Sequence, residues 1–118
     1  MMLINRENGN ILAEDVRRAS AFWSRFRGLM FTRKLHQKAA LHIVPCQSIH
    51  TYFMKYSIDV LYLDKFDQVI GVEEELRPGK IGRMLRNTAS VIELPSGTIS
   101  KTQTWVGQGI YFTAIPKS

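Results

Sequence analysis

The only cysteine of the chain, Cys46, stands four residues before His50 in the stretch PCQSIHTYFM, residues 45–54. A neighbouring imidazole can take the thiol proton, and a thiolate is a strong nucleophile, so the two form a candidate nucleophile and base. Spacing of four brings side chains together on a helix, whereas on an extended strand it holds them about 13 Å apart. Directly after Pro45 the chain has room for one helical turn, or for a tight turn that feeds a core segment. The turn is the expectation, with Cys46 a small buried side chain and His50 held by hydrogen bonds. As metal ligands, Cys46, His50, His42 and His36 match no zinc spacing, and no metal or other cofactor is expected.

Two carboxylates pose a second question. Asp59 interrupts the apolar run Ile58-Asp59-Val60-Leu61-Tyr62-Leu63, and Glu93 interrupts Val91-Ile92-Glu93-Leu94. An ionised carboxylate on an apolar strand face is too costly to keep without partners. Asp59 and Glu93 are therefore a candidate general acid and base, oxygen ligands of a cation, or acceptors for backbone N–H groups or an arginine. An ion pair between Asp59 and Arg25 is the structural expectation.

These residues must be positioned by short elements. Met2-Leu3-Ile4 and Ile11-Leu12 flank Asn8-Gly9-Asn10 and read as a hairpin with Gly9 at positive φ. From Ser20 the period changes: Phe22, Phe26, Leu29 and Met30 share one helical face, with Arg25 at its edge. Strands are expected at 40–44, 58–63, 69–76, 90–94 and 109–115. They are separated by the turn signals Asp64-Lys65-Phe66-Asp67, Arg77-Pro78-Gly79-Lys80 and Pro95-Ser96-Gly97. The fold class expected is α+β and mostly β, an antiparallel sandwich or partly closed barrel with one or two short helices.

With 118 residues and 45% hydrophobic content, the chain fits one domain, residues 1–118, around one core. No stretch approaches the roughly 18 apolar residues of a membrane span, and no export signal precedes the first strand, so a soluble cytoplasmic protein is expected. The net charge is +6, and residues 1–45 hold eight of the sixteen Lys/Arg against three of the ten Asp/Glu. A basic face of this kind attracts nucleic acid weakly and without sequence preference, because no reading motif accompanies it.

Four segments resemble one family in order and spacing: Arg25-Phe26-Arg27-Gly28-Leu29-Met30, Ser48-Ile49-His50-Thr51-Tyr52-Phe53-Met54, Ile58 to Asp64, and Val91 to Gly97. The chain is similar, from about Arg17 to Ile110, to the uncharacterised bacterial and archaeal family DUF192, also called UPF0127. The resemblance implies a β-rich, sandwich-like fold and no established activity. It singles out Arg25, Gly28, Met30, His50, Met54, Asp59, Glu93 and Gly97 as motif positions. Many relatives carry an export signal or membrane anchor, which is not expected here, and many have Trp-Met-Lys-Asn where this chain has Tyr52-Phe53-Met54-Lys55-Tyr56.

The functional expectation is a non-enzymatic accessory domain that binds a small molecule or protein partner in a cleft bounded by His50, Met54, Asp59 and Arg25. The alternatives are a small hydrolase or transferase using Cys46/His50 or Asp59/Glu93, and a weak nucleic-acid-binding module.

Overall fold

A computed structural model describes residues 1–19, 38–51 and 54–115. In chain order its elements are β1 (Met2–Asn5), β2 (Ile11–Ala13), β3 (Asp15–Ala19), β4 (Ala39–Ile43), β5 (Ile58–Leu63), β6 (Val69–Leu76), β7 (Ser90–Pro95), helix α1 (Thr98–Thr102) and β8 (Ile110–Thr113). They form a three-stranded sheet, β2-β1-β8, and a five-stranded sheet, β3-β4-β7-β5-β6. Two separate sheets settle the choice left open by the sequence: a sandwich, with no closure into a barrel. The helix expected from Ser20, with Arg25, lies outside the described residues.

The strand periodicity explains the layers. Along β5 alternate side chains point to opposite faces, and all six residues are buried. Leu61 and Leu63 join Ile92 and Leu94 of β7, Leu3 of β1, Leu12 of β2 and Ile110 of β8 between the two sheets. Ile58, Val60 and Tyr62 face the other way, with Leu41, Ile43 and Val91, under a cover that includes Cys46, Ile49 and Met54. The central strands of the five-stranded sheet are thus buried on both faces, which is why IDVLYL shows no simple alternation of apolar and polar residues.

Two elements escaped the sequence pattern. Strand β3, DVRRA, pairs in parallel with β4 at the sheet edge, and none of its residues is fully buried. Its charges suit an edge exposed to water and hide the strand from any hydrophobic period. Helix α1 spans five residues, too few to stand on intrinsic propensity. Its ends are held from elsewhere in the chain. Asn8 and Asn10 of the β1–β2 turn donate their side-chain N–H groups to the Thr102 carbonyl at 2.9 and 3.0 Å, meeting an acceptor the helix leaves open.

Candidate functional site

Asp59 is fully buried on the inter-sheet face of β5. Its Oδ1 accepts the Glu75 N–H at 2.9 Å, and its Oδ2 accepts the N–H groups of Gly97 at 3.1 Å and Ile99 at 2.9 Å. Gly97 is the N-cap of α1, with φ at +93°, and supplies no side-chain cap. The Asp59 carboxylate takes that role from the neighbouring strand, satisfying N–H groups that the helix start cannot pair internally. Glu75 sits where β6 carries an extra residue, since Ile58 pairs with Leu76 but Val60 with Glu73. Its φ of +53° turns the bulged N–H toward Asp59. Of the arrangements open to Asp59, the described residues form the backbone-acceptor one; the expected partner Arg25 lies outside them.

Strand register decides the carboxylate pair. Asp59 pairs with Leu94, and Val60 with Glu93, so adjacent positions send Asp59 and Glu93 to opposite faces of one sheet. Glu93 is 2% exposed and lies beside Leu41 and Val60 on the outer apolar face, where Met54 also packs. The sheet therefore stands between Asp59 and both Glu93 and Met54, and no shared cleft or acid and base pair is formed by them.

Residues 44–51 contain no helical turn, so spacing of four does not place Cys46 and His50 on one helical face. Cys46 is 7% exposed, and its thiol donates to the Ser48 carbonyl at 3.0 Å. Ser48, Ile49, His50 and Thr51 instead hold the loop 77–86. Thr51 Oγ1 donates to the Arg77 carbonyl at 2.6 Å and accepts the Lys80 N–H at 2.8 Å. The Gly82 N–H donates to the Ile49 carbonyl at 2.7 Å, and Ser48 Oγ donates to the Arg83 carbonyl at 2.9 Å. His50 and Ile81 form a β-bridge. From below, the Tyr62 hydroxyl and the Arg83 N–H both donate to Glu73 Oε1. Burial, and then the bond to Glu73, push the Tyr62 hydroxyl pKa well above its usual value. A Cβ on Gly82 would meet the Tyr62 hydroxyl at 2.5 Å and the Ile49 carbonyl oxygen at 3.1 Å, so only glycine fits this crossing.

A different set of residues lines an open cavity of about 200 Å³ at one end of the sandwich: Met1, Val16, Arg18, His42, Asp67 and Phe112. Arg18 and His42 are register partners on β3 and β4, and Phe112 of β8 stacks on the imidazole with ring centres 4.7 Å apart. His42 is 5% exposed, and its Nε2 has no hydrogen-bond partner among the described residues. Burial, assisted by the Arg18 charge, lowers its pKa from 6.5 to about 4, so the ring is neutral near pH 7. Burial and the neighbouring Asp64 raise the Asp67 pKa, against the opposing pull of Arg18 and Arg6. Sequence reasoning considered His42 only as a metal ligand and passed over Arg18, Asp67 and Phe112. The available signal was the polar exception in Ala-Leu-His-Ile, the same signal that marked Asp59.

Comparisons with known proteins follow the fold closely. The profile of the family DUF192, described as "Uncharacterized ACR", matches residues 3–112. A UPF0127 protein of Thermococcus sibiricus (strain DSM 12597 / MM 739) is 34% identical over 114 residues, spanning 92% of this chain and 73% of its own length. A solved protein of unknown function from Novosphingobium aromaticivorans DSM 12444 superposes with a TM-score of 0.76 at 14% identity, covering 94% of this chain and 83% of that one. A Sinorhizobium meliloti 1021 protein, provisionally described as a transcription regulator, gives a TM-score of 0.74 at 19% identity, with 93% and 89% covered. At these identities the two structures share the fold alone.

Two measurements check the roles derived for Asp59 and Cys46. Asp59→Ala leaves three backbone N–H groups without their acceptor and is expected to lower unfolding free energy by roughly 3–5 kcal/mol in urea titrations. Asp59→Asn, which keeps one good acceptor oxygen, should lose less, and amide exchange at Gly97, Ile99 and Glu75 should accelerate in both variants. Cys46 should react slowly with iodoacetamide in the folded protein and quickly in urea. Rapid alkylation near pH 6 that His50→Ala slows would instead identify an activated thiolate.

Proposed function

The chain belongs to DUF192, a family described as uncharacterised, and we propose that this member is a non-catalytic domain that binds a small zwitterionic molecule in the cavity between its sheets. One observation carries the reading: His42, buried and neutral, lines a cavity together with Arg18 and Asp67, and its buried Nε2 has no hydrogen-bond partner among the described residues. A buried polar atom left unpaired is rare enough in folded proteins to call for a ligand or a water. Of the two, the company it keeps favours a ligand. Arg18 offers donors to a carboxylate, Asp67 accepts from an ammonium group, and the stacked rings of His42 and Phe112 form an apolar wall. The cavity volume suits an amino acid or a molecule of similar size.

The residues with intrinsic reactivity support a binding role over catalysis. Both Asp59 oxygens accept backbone N–H groups, and the Cys46 thiol donates within its own turn. A general base or nucleophile needs a free lone pair within reach of a substrate. A second concavity, between Lys38, Lys101 and Thr98, is slightly larger at about 230 Å³, but among the described residues that line it no buried side-chain polar atom lacks a partner.

Calorimetric titration with a set of free amino acids, and with matching amines and carboxylic acids that carry only one of the two charges, tests the reading. Binding is expected for zwitterions and should weaken about tenfold or more in Arg18→Gln and in Asp67→Asn, as loss of a charged hydrogen bond implies. No binding across the set, or binding unchanged in His42→Phe, contradicts it.

A pH dependence follows from the same geometry. Above pH 6.5 His42 is neutral in both folded and unfolded chains and contributes no slope. Below it the unfolded chain takes a proton that the folded site refuses until about pH 4. Stability should therefore fall as pH drops from 6.5 toward 4 and level off beneath. The raised Asp67 pKa acts in the opposite sense, adding stability as pH falls. Urea midpoints of wild type and His42→Phe, compared at each pH, isolate the histidine contribution, and the difference should grow across that window.

A further inference from the structure

The loop from Arg77 to Arg86 has chemistry that the cavity does not use. Its sequence, RPGKIGRMLR, contains four cations and no acid. Arg77, Lys80, Arg83 and Arg86 are all exposed, and none of them forms an ion pair among the described residues. Between them two aliphatic side chains point into solvent, Ile81 at 68% and Met84 at 78% exposure, while Leu85 turns inward beneath Gly71. Exposed isoleucine and methionine at the tip of one loop are unfavourable in water unless something covers them.

The loop is also held in shape. Its backbone is fixed by Ser48, Ile49 and Thr51 on one side and by Glu73 on the other. Its far end closes through the Thr88 hydroxyl, which donates to the Leu85 carbonyl at 2.8 Å. Little conformational freedom remains in the backbone to be lost on contact, which favours binding.

We propose that this loop docks the protein on an anionic lipid surface, with Ile81 and Met84 entering the headgroup region and the four cations contacting acidic headgroups. Charge complementarity selects the occupant: a fluid anionic interface satisfies cations and protruding aliphatic side chains together, and requires no matching groove. Nucleic acid fits less well. Its bases are recognised by aromatic rings, and the loop has none. Glu74 and Glu75 of β6 precede the loop and set a limit on how closely that strand can approach the surface; Glu73 is already engaged by Tyr62 and Arg83.

The test is co-sedimentation of the full chain with vesicles of phosphatidylcholine alone and of phosphatidylcholine mixed with phosphatidylserine. Binding to the anionic vesicles only is expected, falling as salt is raised. Lys80→Gln combined with Arg86→Gln should reduce partitioning about tenfold or more, since each cation near such a surface contributes on the order of 1 kcal/mol. Ile81→Ser combined with Met84→Ser should reduce it further at high salt, where the aliphatic contribution dominates. These four side chains are exposed, so near-ultraviolet circular dichroism should report an unchanged fold. The proposal is overturned by equal partitioning onto both vesicle types, by no partitioning onto either, or by anionic binding that both double variants leave intact. It is also overturned if an oligonucleotide displaces the chain from vesicles while Ile81→Ser with Met84→Ser leaves vesicle binding unchanged.

Discussion

The carboxylate of Asp59 is the junction on which three elements meet. It sits on β5, pins the bulge of β6 through Glu75, and caps the start of α1 through Gly97 and Ile99. Each of those N–H groups lacks a partner in regular structure, one because β6 carries an extra residue and two because a helix start leaves its donors open. A charged acceptor in a dry site is stronger than a neutral one and cannot be dispensed with once the donors are buried. The bulge and the helix thus depend on a single side chain that belongs to neither.

A second polar system organises the other side of the sheet. The segment Ser48 to Thr51 carries few groups suited to reaction and many suited to holding a neighbouring loop, and it holds 77–86 by backbone and hydroxyl contacts. Tyr62 links this arrangement to the core, since its ring packs with the outer apolar cluster while its hydroxyl reaches Glu73 beneath the loop. The loop is accordingly presented as a shaped surface even though it contains no regular secondary structure beyond one bridge residue.

His42 and Asp59 make an instructive contrast. Each is a polar exception in an apolar strand, and each is more than nine-tenths buried. Among the described residues Asp59 has three donors aimed at it, whereas the His42 Nε2 has no partner. Ionisation distinguishes how the two are tolerated. A buried carboxylate survives here by collecting hydrogen bonds, while an imidazole can remain buried by giving up its proton. The first solution completes the fold; the second keeps a neutral ring in the wall of a cavity.

The sequence by itself determined what local pattern can express. Apolar runs and turn residues marked β5 and β6 at their observed bounds, and β4 and β7 to within one residue. A hydrophobic run too continuous for one buried face implied a sheet covered on both. The placement of Asp59 with Leu61 and Leu63 follows from strand period alone, as does the need for it to be satisfied. Partner identity was beyond that reach, because the donors come from residues 16, 38 and 40 positions away in the chain. Strand β3 carries no hydrophobic period, since its edge position favours charge over apolar alternation. Helix α1 is too short for propensity to mark it, and it exists because Asp59 and the asparagines of the first turn meet its open ends. Only the tertiary structure put Asp59 and Glu93 on opposite faces, because register between β5 and β7 is a relation between strands. For the same reason it alone gathered Arg18, His42, Asp67 and Phe112 from four separate segments into one cavity.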